Sequence, residues 1–233
     1  MFNVSYWFSK SLDYLSSINI NNSSGLGLAG ENDLAQNPFD LRAEHGPSLF
    51  DATHRFVASG AWEIPLARNA SGITRVLLKG WQLNTIASAN SGTPFTVYDS
   101  TNVALQASSP PLSAYFASRP DLIGNPNLGP HTPNQWISTT PFLRLNPVTQ
   151  AGQFGNAGRN IARGPDFADV DASLMKNFAI SDRTTLQFRA ESFNTANHPN
   201  FAVPIADLAS PNFGRILSAG PARLTQLALK VLF

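Results

Sequence analysis

The residues best placed to do chemistry are four charged side chains in two neighbouring stretches: Asp169 and Asp171, then Arg189 and Glu191. In an extended chain, residues two apart point the same way and lie roughly 7 Å from each other. Asp169 and Asp171 therefore share one face, as do Arg189 and Glu191, and only Ser181-Asp182-Arg183 separates the two stretches. Such a cluster could hold a cation, act as an acid/base pair or line a polar lumen. A hydrolytic pair wants a closed pocket that drives two carboxyl pKa values apart, and nothing in the sequence supplies one. Ion pairing with Arg189 in a polar lumen is the favoured reading.

Other candidates fall away on context. Gly25-Leu26-Gly27-Leu28-Ala29-Gly30 has the G-x-G-x-x-G spacing, yet a dinucleotide site needs those glycines directly after a strand and opening a helix. Here a polar stretch precedes the match and no apolar helical face follows it, so a loop is expected. His45, His54, His131 and His198 lack metal-site spacing, and cysteine is absent. No nucleophile elbow, phosphate loop or kinase signature occurs. The expectation is a non-enzyme with no cofactor and no metal.

The elements that carry the four charges explain them better. Only 13% of the residues are charged, against about 25% in ordinary soluble domains. No window approaches the ~18 consecutive apolar residues of a spanning helix. The formal charge is +1, with no basic stripe for nucleic acid. Period-two alternation predicts six strands, at about 2–13, 53–65, 79–98, 167–180, 184–194 and 223–233. In the last of them Leu227, Leu229, Val231 and Phe233 share one face. The links run long, short, long, short, long, which is the plan of an outer-membrane β-barrel with short periplasmic turns and long extracellular loops. That plan puts Phe2, Trp62, Trp81, Phe178 and Phe233 at the periplasmic edge. Tyr14, Phe56, Phe95, Tyr98, Phe167 and Phe193 would stand at the outer edge. The long link 99–166, rich in Pro, Ser, Asn and Thr, is expected to form a loop of limited order.

Several stretches, in order along nearly the whole chain, carry a family resemblance. They include Val4-Ser5-Tyr6-Trp7-Phe8-Ser9-Lys10-Ser11, Phe50-Asp51-Ala52-Thr53-His54-Arg55-Phe56 and Gly80-Trp81-Gln82-Leu83. Further on are Gly155-Asn156-Ala157-Gly158-Arg159-Asn160, Gln187-Phe188-Arg189-Ala190-Glu191-Ser192-Phe193-Asn194 and Asn197-His198-Pro199-Asn200-Phe201. Together the series resembles the C-terminal barrel of Oar-like TonB-dependent outer-membrane transporters. The resemblance implies a barrel of about 22 strands closed by a plug and energised through the TonB complex. Residues 1–233 would be one C-terminal portion of that barrel, with plug and N-terminal domains outside it. No signal peptide is visible at Met1, which fits a fragment. The implied substrate is a small molecule or oligomer of unknown identity. The terminal strand resembles the signal read by the barrel-assembly machinery, carried by Leu227, Leu229, Val231 and Phe233.

The expectation is thus an all-β chain, a partial transmembrane antiparallel barrel of about six strands forming an open curved sheet, embedded in outer-membrane lipid. Two rivals remain. One is a structural or adhesive outer-membrane barrel without active transport. The other is a secreted soluble β-sandwich that buries its apolar faces between two sheets.

Overall fold

A computed structural model describes residues 1–16, 35–37, 39–66, 71–101 and 118–233. The G-x-G-x-x-G match at Gly25–Gly30 and the Pro110-Pro111 pair lie outside the described residues.

Six strands form one antiparallel sheet in chain order: β1 (Phe2–Phe8), β2 (His54–Glu63), β3 (Trp81–Asn90), β4 (Phe167–Ala179), β5 (Thr185–Phe193) and β6 (Leu224–Leu232). Each pairs with its sequence neighbour, and the outer edges of β1 and β6 do not meet, so the sheet is open. The registers run without interruption, for example Leu174 opposite Leu83 on one side and opposite Ala190 on the other. Because side chains alternate with period two, an unbroken register sorts the whole sheet into two faces. One face carries Phe2, Val4, Tyr6 and Phe8, then Phe56, Ala58 and Trp62, and on through Leu83, Leu174 and Phe188 to Leu227, Leu229 and Val231. The other carries Asn3, Arg55, Ser59, Gln82, Asn84, Asp169, Asp171, Arg189, Glu191, Gln226 and Lys230. Phe2, Leu227 and Leu229 are at least 70% exposed. A face this apolar and this open suits lipid rather than water. No second sheet packs on it among the described residues, so the β-sandwich alternative is set aside.

Two details show how the apolar face tolerates exceptions. Lys176 lies on it near the short-turn end. Its ammonium donates to the Lys79 carbonyl at 2.6 Å and sits over the Phe178 and Trp81 rings at 4.9 and 5.3 Å, so the charge is turned out of the face and shared with aromatic quadrupoles. Opposite Phe2, Gly60 has no side chain. A Cβ there would come within 2.6 Å of the Phe2 ring, which covers the bare backbone.

All three long connections leave from the same end of the sheet, and the two short ones close the other end. The 64–80 link contains α1 (Gly72–Leu78), whose Leu77 carbonyl accepts the Trp81 indole N–H at 3.1 Å.

The described part of 99–166 is not the limited-order loop expected there, and residues 102–117 lie outside the described residues. The described parts of the long connections pack into a cap. Phe95, Val97, Ile137, Phe142, Ala162 and Ala206 are buried together, flanked by Tyr98, Leu122, Trp136, Val203, Leu208 and Phe213. Alternation had carried the third strand on to residue 98. The ladder instead stops at Asn90, and the chain enters the cap through Pro94–Phe95, paired with Ala162–Arg163. At Gly92 a Cβ would sit 1.9 Å from the Gly164 carbonyl oxygen, so only glycine lets the two backbones come this close. This also corrects the outer rim. Phe95 is cap core, Tyr98 packs against it, and Phe167 and Phe193 stand on the polar face. The outer aromatics of the apolar face are Tyr6 and Phe8, whose rings pack against His54, and Phe56, directly opposite Tyr6.

Candidate functional site

The four sequence-predicted charges do share the polar face, but they do not form one cluster. Arg189 Nη2 lies 3.6 Å from Glu191 Oε1, and its Nε donates to the Met175 sulfur at 3.2 Å. Glu191 also accepts from Gln226 Nε2 at 2.7 Å. Asp171 instead accepts the Asn194 backbone N–H at 3.0 Å. The expected pairing of Arg189 with the two aspartates gives way to these local bonds. Arg189 stands opposite Met175, four residues along β4 from Asp171, which is too far for a direct contact. Asp169 Oδ1 is buried without a hydrogen bond among the described residues. The arrangement makes a polar wall.

Leu227, Leu229 and Val231 lie along the apolar face of β6, and Phe233 follows the strand, fully exposed. They are cross-strand neighbours of Ala190, Phe188 and Leu186.

The strongest built structure is at the loop end, and its side chains were not singled out as a site by sequence. Glu44 and Arg119 form a two-pronged ion pair at 2.7 and 2.9 Å with both side chains 4% exposed. Gln36 joins them. Its backbone N–H donates to Glu44 at 2.9 Å, its side-chain oxygen accepts the Arg119 N–H at 2.6 Å, and its Nε2 donates to the Gly155 carbonyl at 3.0 Å. Arg159 donates from Nε to the Glu44 carbonyl at 2.9 Å and from Nη2 to the Asp13 carbonyl at 2.8 Å, and pairs with the Asp13 carboxylate. Burial pushes the Asp13 pKa up, but the hydrogen bonds from Ser48, Arg159 and Ser16 and the Arg159 charge outweigh it and hold the carboxyl below its ordinary value. Asn160 takes a positive φ of 53° and exchanges hydrogen bonds with the Thr96 hydroxyl. Arg163 pairs with Asp51, and Arg144 with Asp99 at 2.7 Å. The Asn160–Thr96 and Arg144–Asp99 contacts brace the loop after β3 internally, and the others lace it to the loop before β2. Their sequence traces are the resemblance stretches that hold Asp51 and Gly155 to Asn160.

The third loop is fixed by asparagines. Asn194, at φ 47°, accepts the His198 N–H at 2.9 Å and donates to the His198 and Pro221 carbonyls at 2.9 and 3.1 Å. Asn197 accepts the Arg223 N–H at 3.0 Å and Asn200 the Ala168 N–H at 2.9 Å.

Where the cap meets the polar face of β1 and β2, a cleft of about 310 Å³ opens between Trp7, Phe50, Asp51 and Arg55. That is at the small end of ligand-binding cavities.

The model of an outer membrane beta barrel domain matches residues 1–226. The chain belongs to this outer membrane beta barrel family. No match to a curated protein or to a solved structure is found. The family places the chain in the outer membrane, so the apolar face of the sheet is its lipid face and the long-loop end, with its cap, is the extracellular one. In a barrel of this family the polar face lines the interior, and the cleft stands at its outer mouth.

Proposed function

We propose that this outer membrane beta barrel chain is the C-terminal wall of a TonB-dependent transporter of the Oar-like kind, and that its cap takes part in capturing the substrate to be imported. The observation that carries the reading is the cap itself. Loops that only joined strands would have no need of buried ion pairs and an apolar core of their own. A cap held in one arrangement over the mouth of a polar-lined wall is suited to presenting fixed side chains to a solute. Energised uptake would reach the TonB complex through a plug and a TonB-contacting segment lying outside these 233 residues.

The test compares a strain lacking the gene with one lacking TonB, on a panel of sole iron and carbon sources. The reading predicts that every growth defect of the first strain is shared by the second. A defect seen only in the gene deletion, or adhesion lost with growth intact, would instead support a structural or adhesive barrel.

A further inference from the structure

We infer that the cleft at the outer mouth is a binding site for a small organic anion with a flat apolar body, held by the Arg55 guanidinium between the rings of Trp7 and Phe50. The inference rests on the transport reading for its purpose but on separate observations for its chemistry. Trp7 and Arg55 are directly opposite one another across β1 and β2, so both side chains rise from the polar face side by side. Trp7 therefore stands outside the lipid-facing aromatic girdle, whose members Tyr6 and Phe8 point the other way. Even so, 50% of its surface stays open to solvent, and Phe50 across the cleft is 62% open. Two large rings left open at the mouth of a cavity offer stacking area that nothing among the described residues covers.

The charge in the cleft is unbalanced in one direction. Asp51 is buried and already satisfied, by the Arg163 guanidinium and by the Ser11 backbone N–H at 2.8 Å. Its negative charge is thus matched within the cap. Arg55 has no ion pair or hydrogen bond through its side chain among the described residues. The nearest carboxylates on the polar face, Asp169 and Asp171, lie two strands away, roughly 10 Å in strand spacing. The uncompensated group is a planar cation with a forked set of donors, which matches a carboxylate or a similar planar anion. The Ser9 hydroxyl at the same wall can add a hydrogen bond.

The test uses the full chain refolded in detergent, with native-like strand content checked by circular dichroism, and naphthoate as the probe. Its neutral isostere, naphthalenemethanol, is the control. Equilibrium dialysis should show naphthoate binding that weakens at least about tenfold for Arg55→Gln, Trp7→Ala or the neutral probe. Equal binding of both probes, binding indifferent to Arg55→Gln, or no naphthoate binding by well-folded protein would overturn the inference. A variant that does not refold is measured instead in outer-membrane preparations carrying it, against the same two criteria. If naphthoate binds as expected while growth defects fail to follow TonB, the transport reading falls and the site stands. If binding fails while TonB-linked uptake persists, only the site is lost.

Discussion

At the scale of single residues, the cap is held by charges whose partners are far away in sequence. Arg119 reaches back 75 residues to Glu44, and Arg159 reaches back 146 to Asp13. Removing one partner of a buried pair leaves an uncompensated charge, which costs about 3–5 kcal/mol. Glu44→Ala should therefore loosen the cap while sparing the sheet. Hydrogen exchange should speed up in segments 118–123 and 155–163 and stay slow in β3 to β5. The Asp13 pKa gives a second expectation with a definite sign. Its folded value lies below the ordinary 3.8, so the ionised carboxylate adds stability at neutral pH that is lost as pH falls through the depressed value. Cap stability should drop in that acid range, and Asp13→Asn should remove this part of the pH dependence. Proteolytic susceptibility measured after incubation across a pH series would show both effects. None of these pairs could be read from the sequence, because ion pairing across such separations leaves no periodic trace. The polar-wall residues Asp169, Asp171, Arg189 and Glu191 were visible, since alternation alone assigns them a common face, but alternation says nothing of position along the strand. That is why Arg189 was expected to meet aspartates which it cannot reach.

At the scale of elements, the strands are the most legible part of the molecule. A sheet that is apolar on one face and polar on the other imposes period two on every strand, and four of the six lie within about two residues of their expected limits, while the first, expected over 2–13, leaves the sheet at Phe8, its Leu12–Asp13 pairing instead with Gly46–Pro47. The third ran long because Gly92, Pro94 and Phe95 continue an apolar-rich stretch while the backbone has already turned into the cap. The same facing rule yields a prediction. Ala190→Arg places a cation on the apolar face near mid-length of its strand and should destabilise the inserted protein by about 2–4 kcal/mol. Gln187→Arg, on the polar face of the same strand, should change stability far less. Urea titration in lipid vesicles distinguishes the two. The terminal strand carries a further expectation: deletion of Phe233 from the expressed protein should lower the amount assembled in the outer membrane, as read on blots of membrane fractions. Unchanged levels would mean that Leu227, Leu229 and Val231 serve the lipid face alone.

At the scale of the whole molecule, one open sheet with lipid on one side and a polar wall on the other, topped by an ordered cap, has an inside and an outside. Membership of the outer membrane beta barrel family assigns those sides, and loop length assigns the ends. The chain contains no cysteine, so single cysteines can report on this directly. Val148 is 85% exposed on the cap, and Asp182 is exposed in the tight turn between β4 and β5. Intact cells carrying Val148→Cys or Asp182→Cys would be treated with a membrane-impermeant maleimide. The account predicts labelling of Cys at the cap position in intact cells, and labelling at the turn position only after the outer membrane is permeabilised. Labelling of the turn but not the cap in intact cells, or equal labelling of both, would contradict it.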